Sequence, residues 1–136
     1  MLRGLVLDFG GVLTDFGDDF GAAEPPLITV VRAVRDHEVR TGLLSNADGL
    51  WAPPTSWAGL FDAVVVSGEV GLAKPERQIY LLAAEKLGLK PEECVFVDDL
   101  PVNVRGAVAA GMVGVHHTSV RATVDELAAL LDLPLV

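Results

Sequence analysis

Five polar side chains stand where short apolar runs end, and a lysine joins them from a loop. Asp8 closes LVLD, Ser45 and Asn46 close LLSN, and Asp98 and Asp99 close CVFVDD, while Lys74 sits in a loop just ahead of a helical stretch. A run that is apolar throughout and polar only at its last position aims that residue out of the core, so runs lying side by side bring the six together. Three clustered carboxylates repel one another and raise each other's pKa unless a cation compensates, which implies a bound divalent metal. Ligation by oxygen alone with open positions suits Mg²⁺. The Lys74 ammonium and the Ser45 hydroxyl then face an anion that also touches the metal, and the smallest anion accepting all these contacts is a phosphoryl group. A carboxylate aimed at that phosphorus is a nucleophile. Taken singly, Ser45 also reads as a turn former, Lys74 as a surface charge and Asp99 as a helix N-cap.

Apolar runs at residues 5–8, 39–45, 63–67, 94–99 and 112–116 predict the strands that must position these groups. They are nearly continuous rather than alternating, the signature of parallel strands covered on both faces. Pro25 and Pro26 open a helix whose Leu27, Val30, Val31 and Val34 share one face. A second is predicted from Pro75 to a stop at Gly88, with Ile79, Leu82, Ala83 and Leu87 inward. A third is predicted over 101–110, with Val104, Ala107 and Val108 inward, and a last over 123–131. This alternation predicts an α/β fold: a three-layer, doubly wound, Rossmann-like sandwich around a five-stranded parallel sheet. Ligands of such sheets bind at the carboxyl ends of the strands, where the strand order reverses.

The length of 136 residues predicts a single domain over 1–136, and 51% hydrophobic against 21% charged residues excludes intrinsic disorder. Ten Lys and Arg against nineteen Asp and Glu leave a net charge of −9, which repels a phosphate backbone and argues against nucleic acid. The longest stretch free of charged or strongly polar residues, 106–115, is about half of what a membrane-spanning helix requires. Asp8 interrupts the N-terminal apolar run too early for a secretory leader, so the expected location is cytoplasmic, without membrane contact. The single Cys94 lies in an apolar run and reads as a small buried hydrophobe.

In these residues the sequence resembles the haloacid dehalogenase superfamily, mostly Mg²⁺-dependent phosphatases. The resemblance covers the whole chain: DFGGVLT (8–14) matches the first motif, LLSN (43–46) the second, GLAKPERQIY (71–80) the third and VDDLPVNVRGA (97–107) the fourth. The chain is most similar to the branch containing the phosphatase-like N-terminal domain of epoxide hydrolases and some sugar-phosphate phosphatases. The resemblance implies that Asp8 forms an aspartyl-phosphate and that Lys74 neutralises the nucleophile and the developing charge. It implies that Asp8, the Gly10 carbonyl and Asp99 ligate Mg²⁺, with Asp98 alongside and Asn103 behind them at the head of its helix. Ser45, Asn46 and Lys74 then hold the phosphoryl oxygens, and the backbone amides of residues 9–12, beginning with Phe9, complete a phosphate cradle. The implied substrate is a small phosphorylated metabolite.

Phosphatases of this superfamily usually carry a second Asp two residues after the nucleophile, which protonates the leaving alkoxide and later activates water. Here that position is Gly10. Loss of a general acid-base costs about 10²–10⁴ in rate. Four consequences stay open: a slow enzyme, one restricted to good leaving groups such as acyl or anomeric phosphates, a silent phosphate-binding relative, or another group in the role. Asp15 is the nearest substitute, and it also reads as a solvated loop acid beside Asp18, Asp19 and Glu24.

Dehalogenases of the superfamily need no proton at that position but bury their substrate under a helical cap placed between the first and second motifs. The crossover helix and second strand take roughly twenty of the residues 15–44. What remains, DFGDDFGAAE, is enough for a flap and no cap domain. The site is therefore expected to be open, or covered by a neighbouring subunit of a homo-oligomer. The segment LWAPPTSW (50–57), with Trp51 and Trp57, suits such an interface, a substrate wall or a cover for the sheet edge. His116 and His117 lack metal-ligand spacing and read as loop structure. Signalling receiver domains use similar residue types, but with the acidic pair first and the acceptor later, the reverse of the order here.

Overall fold

The computed structural model describes residues 1–18 and 21–135; Asp19, in the 15–24 flap, lies outside the described residues. Five strands form one parallel sheet: β1 (Gly4–Leu7), β2 (Arg40–Ser45), β3 (Ala63–Val66), β4 (Cys94–Asp98) and β5 (Val113–His116), in the order β3-β2-β1-β4-β5. Each lies within one residue of its expected limits. The chain winds outward from β1 to β3 and then crosses back to β4, so the order reverses between β1 and β4 and a crevice opens there.

Successive side chains of a strand face opposite sides of the sheet, and here both sides are apolar. Leu5, Leu7, Leu43, Val95 and Val97 pack with Leu27, Val31 and Val34 of α1 (Pro26–Arg35) and Leu127 of α5 (Val120–Leu131). A one-turn α2 (Ser67–Val70), absent from the sequence expectation, follows β3. Val6, Leu44 and Phe96 face the other layer, made by Ile79, Tyr80 and Ala83 of α3 (Arg77–Lys86) and Ala107 of α4 (Pro101–Ala109). Leu27 is fully buried, and truncating such a leucine to Ala costs about 2–5 kcal/mol.

Three helices depart from their expected limits or phase. Helix α3 begins at Arg77 rather than Pro75, because a turn closed by the Glu76 N–H donating to Ala73 O (2.8 Å) comes first. Helix α5 begins three residues before Thr123, where the Ser119 hydroxyl accepts from the Ala122 N–H at 3.1 Å and caps it. In α4, Val108 is 55% exposed, not inward, and Asn103 is buried instead. The phase follows the Asn103 amide, which reaches the buried Asp98 carboxylate and holds the 103/107 face against the sheet.

Between Leu13 and Pro26 the described residues contain no strand or helix, so no cap domain is inserted there. Among the described residues no helix is long and apolar enough to cross a membrane.

Candidate active site

Register brings the predicted residues to one level. Leu7 pairs with both Leu43 and Val97, so Asp8 emerges from β1 level with Asp98 of β4 and one residue short of Ser45 of β2, and its own N–H donates to Val97 O at 3.0 Å. Into this corner the loop after α2 delivers Lys74, whose side chain is 1% exposed. The ammonium donates to Asp8 Oδ1 (2.8 Å), Asp98 Oδ2 (2.9 Å) and Leu44 O (3.0 Å), so all three of its hydrogens are engaged. It also lies 5.4 Å over the Phe96 ring. Lys74 is thus a buried counter-ion, not a surface charge.

The other members have distinct settings. Asp98 is fully buried; Oδ1 accepts from the Leu100 N–H (3.0 Å), and Oδ2 accepts from the Asn103 amide (3.2 Å) as well as Lys74. Asp99 is half-buried, its carboxylate accepts no hydrogen bond among the described residues, and it does not cap α4. The Ser45 hydroxyl likewise has no protein partner among the described residues and opens on the site pocket. Burial pushes the Asp8 carboxyl up to about 6, Lys74 pulls against that rise, and Asp98 adds to it.

The predicted residues Asp8, Phe9, Gly10, Ser45, Asn46, Lys74, Asp99 and Asn103 line a pocket of about 410 Å³. Oxygens of Asp8, Asp98 and Asp99 all lie within 4.8 Å of one another. Hard oxygen donors at this spacing, with Asp8 destabilised as an anion and Asp99 unpartnered among the described residues, fit a small divalent cation such as Mg²⁺. Gly11, at φ 80°, sits so close to Asp99 that a Cβ there would overlap the carboxylate. Gly10 differs: its φ of −67° is ordinary, and a Cβ would meet nothing within 4 Å. Backbone and space at Gly10 would therefore accept an Asp.

Several residues have partners that their types did not suggest. The Asn46 amide donates to Lys74 O (3.1 Å) and accepts from the Lys74 N–H (3.0 Å), so it clamps the main chain that carries the ammonium. The Gly11 N–H, one of the expected cradle amides, donates to Thr14 Oγ1 at 2.9 Å. Asp15 does not line the pocket; its carboxylate lies 2.7 Å from His117 Nε2 and accepts from the Gly17 N–H at 2.8 Å. His117 is itself buried, with Nδ1 2.7 Å from the Thr123 hydroxyl, and His116 Nε2 lies 3.1 Å from Asp99 O. Trp57 belongs to the core, whereas Trp51 walls the pocket with its ring 4.8 Å from that of Phe9.

Tyr80 was not anticipated. Fully buried, it donates to Asn103 O at 2.7 Å and braces the helix start behind Asp98. A phenol ending the KPERQIY segment is the local signal, but its partner is 23 positions away.

A family profile described as haloacid dehalogenase-like hydrolase matches residues 17–111. The chain belongs to the haloacid dehalogenase-like hydrolases. It is 52% identical over 57 residues to glyceraldehyde 3-phosphate phosphatase of Methanopyrus kandleri, covering 41% of this chain and 24% of that enzyme. A crystal structure from Corynebacterium glutamicum is 35% identical, with a TM-score of 0.81 over 98% of this chain and 97% of its own. A haloacid dehalogenase-family enzyme of Bacteroides thetaiotaomicron, solved with magnesium and inorganic phosphate, shares the fold (TM-score 0.69, 16% identity, 88% of this chain and 96% of that one). The chain spans only 24, 11 and 42% of the length of three curated relatives that it matches.

Proposed function

We propose that this haloacid dehalogenase-like chain is a Mg²⁺-dependent phosphohydrolase that works through an aspartyl-phosphate on Asp8 and lacks the usual acid-base group, Gly10 standing in its place. The observation that carries the reading is the buried Lys74 ammonium between Asp8 and Asp98, at 2.8 and 2.9 Å, beside the Asp99 carboxylate and Ser45 hydroxyl, which have no partner among the described residues. Collecting three carboxylates around one lysine is unfavourable for a core, and it becomes intelligible as a site for a cation and a phosphate together. Relatives named as phosphatases support the same reading.

Lys74 ties down Asp8 Oδ1, which leaves Oδ2 for phosphorus and fixes its line of approach. Asn46 and Leu44 O hold Lys74 in place, and Asn103, Leu100 N and Tyr80 hold Asp98. The Ser45 hydroxyl and the main chain of the turn after Asp8 receive the phosphoryl oxygens. Asp8, the Gly10 carbonyl and Asp99 are the groups that would hold Mg²⁺, which supplies charge neutralisation when bound. Asp98, with both oxygens engaged, stands behind them. The substrate is a small phosphorylated metabolite, reached through a site that no inserted cap covers.

Purified protein assayed for phosphate release from aryl, acyl and alkyl phosphates, with Mg²⁺ and with EDTA, tests the proposal. Expected is slow, metal-dependent turnover that vanishes in Asp8→Asn. Turnover surviving that substitution overturns the nucleophile assignment.

A further inference from the structure

Strand β2 ends at Ser45, and the corner after it leaves the sheet. Ser45, Asn46 and Ala47 in succession line the pocket of Asp8, while Asn46, Asp48 and Gly49 are exposed. The Ser45 hydroxyl has no partner among the described residues, so its direction depends on how the main chain beyond it is held. The hold comes from α2, the single turn that follows β3.

A serine at a helix start ordinarily caps its own helix. Ser67, the first residue of α2, instead accepts from the Ala47 N–H (3.0 Å) and donates to Ala47 O (3.0 Å), 20 positions away. The Gly68 N–H donates to the same oxygen at 2.9 Å. Both main-chain groups of Ala47 are therefore fixed from one turn. A steric observation, independent of these bonds, agrees. A Cβ at Gly68 would stand 2.5 Å from Gly49 N and 2.7 Å from Asp48 C, so only glycine lets α2 lie against this loop. The grip extends to the nucleophile, because Asn46, next to Ala47, clamps the Lys74 main chain and Lys74 reaches Asp8 Oδ1.

We propose that Ser67 is a positioning residue for phosphoryl transfer: through the main chain of Ala47 it fixes the Ser45–Asn46 corner that receives the phosphoryl oxygens, a role that rests on the phosphohydrolase reading above. The groups that would hold the metal, on Asp8, Gly10 and Asp99, stand after β1 and β4, whereas the Ser67 hydroxyl is spent on Ala47. Loss of that hydroxyl is therefore expected to loosen the phosphate side of the site and to spare the metal side. The corner acts on the phosphoryl group, which every substrate shares, so the loss is independent of the leaving group.

The test compares Ser67→Ala, Ser67→Thr and the parent well below their melting temperatures. In Ser67→Ala, kcat/KM is expected to fall about tenfold or more for aryl and acyl phosphates alike, and the affinity for orthovanadate in saturating Mg²⁺ by a similar factor. Ser67→Thr keeps the hydroxyl and is expected to stay within about threefold of the parent on both counts. Calorimetry with Mg²⁺ alone is expected to show a change under about threefold in Ser67→Ala, against the roughly 10- to 100-fold that loss of a metal-orienting contact costs. Unchanged vanadate affinity in Ser67→Ala, or vanadate and Mg²⁺ affinities falling together, overturns the positioning role. If Ser67→Ala does not fold, Gly68→Ala decides: it presses on the same loop from an exposed position and is expected to give the same pattern. Unchanged vanadate affinity there overturns the proposal. A parent that binds vanadate but turns over no phosphate overturns the phosphohydrolase reading instead, and the vanadate comparison still judges Ser67. A parent that does neither overturns both.

Discussion

Lys74 and Asp8 stand 66 positions apart in the chain, yet the ammonium of one lies 2.8 Å from the carboxylate of the other, with 1% and 12% of their side chains exposed. The same ammonium neutralises Asp98. Replacing Lys74 by Met therefore leaves two buried carboxylates without a counter-ion. Breaking buried ion pairs in this way costs about 3–5 kcal/mol. Urea unfolding of Lys74→Met in EDTA is expected to show that loss, with partial recovery in Asp8→Asn/Lys74→Met, where one of the stranded charges is gone. Equal stability of the single variant and the parent contradicts the central place given to this pair.

Asp8 also makes metal-free stability depend on pH. Its folded-state carboxyl is raised to about 6 from an ordinary 3.8, chiefly by burial, so the folded protein holds this proton more tightly than the unfolded chain does. The stabilisation is fully present below the ordinary value and is lost as pH rises through about 6. In EDTA, the melting temperature of the parent relative to Asp8→Asn is expected to fall between about pH 4 and pH 7. A difference that is constant across this range rules out the raised Asp8 proton affinity. Mg²⁺ is expected to restore stability at neutral pH in the parent and not in the variant.

Because a Cβ at Gly10 meets nothing within 4 Å and the backbone there suits any L-residue, Gly10→Asp is expected to fold normally. Under the proposed mechanism it supplies a proton donor, so turnover of alkyl phosphates is expected to rise by about 10²-fold or more, and that of aryl and acyl phosphates by much less. Equal acceleration of both classes, measured as kcat/KM, argues that Gly10 is not where an acid-base would act.

Asp15 is a flap anchor in this structure, joined to the buried His117 at 2.7 Å. Asp15→Asn keeps the shape but weakens that contact and the one to the Gly17 N–H, with an expected loss of about 1 kcal/mol in thermal or urea unfolding. The Gly17 N–H first and His117 next hold this carboxyl below its usual range, so its contribution is present above pH 4 and lost in acid. Turnover is expected to stay within a few-fold of the parent; a loss near 10³-fold would make Asp15 the acid-base after all.

Local pattern made much of the architecture legible. The apolar runs ending in Asp8, Ser45 and Asp98 are strands within one residue of their expected limits, because continuous β-branched runs of that length have few other uses. Residue type also pointed to the cluster of Asp8, Asp98, Asp99, Lys74 and Ser45, since charge at the end of an apolar strand has to face a crevice. Assignments that depend on a distant partner were not legible in the same way. Val108 turned out to be exposed because Asn103 takes the inward place to reach Asp98, five residues upstream on another element.

The order of apolar runs, prolines and terminal acids in this chain specified a parallel α/β sheet with an acidic, phosphate-suited corner and no room for an inserted cap, all of which follow from near-neighbour patterning. Where each polar atom points came from packing. Asn46 holds the Lys74 main chain across 28 positions, Asp15 turns to His117 across 102, and the Phe9 ring meets that of Trp57. Such pairings are set when helices and loops from separate parts of the chain close on the sheet, and buried polar groups take whichever partners that closure brings within reach.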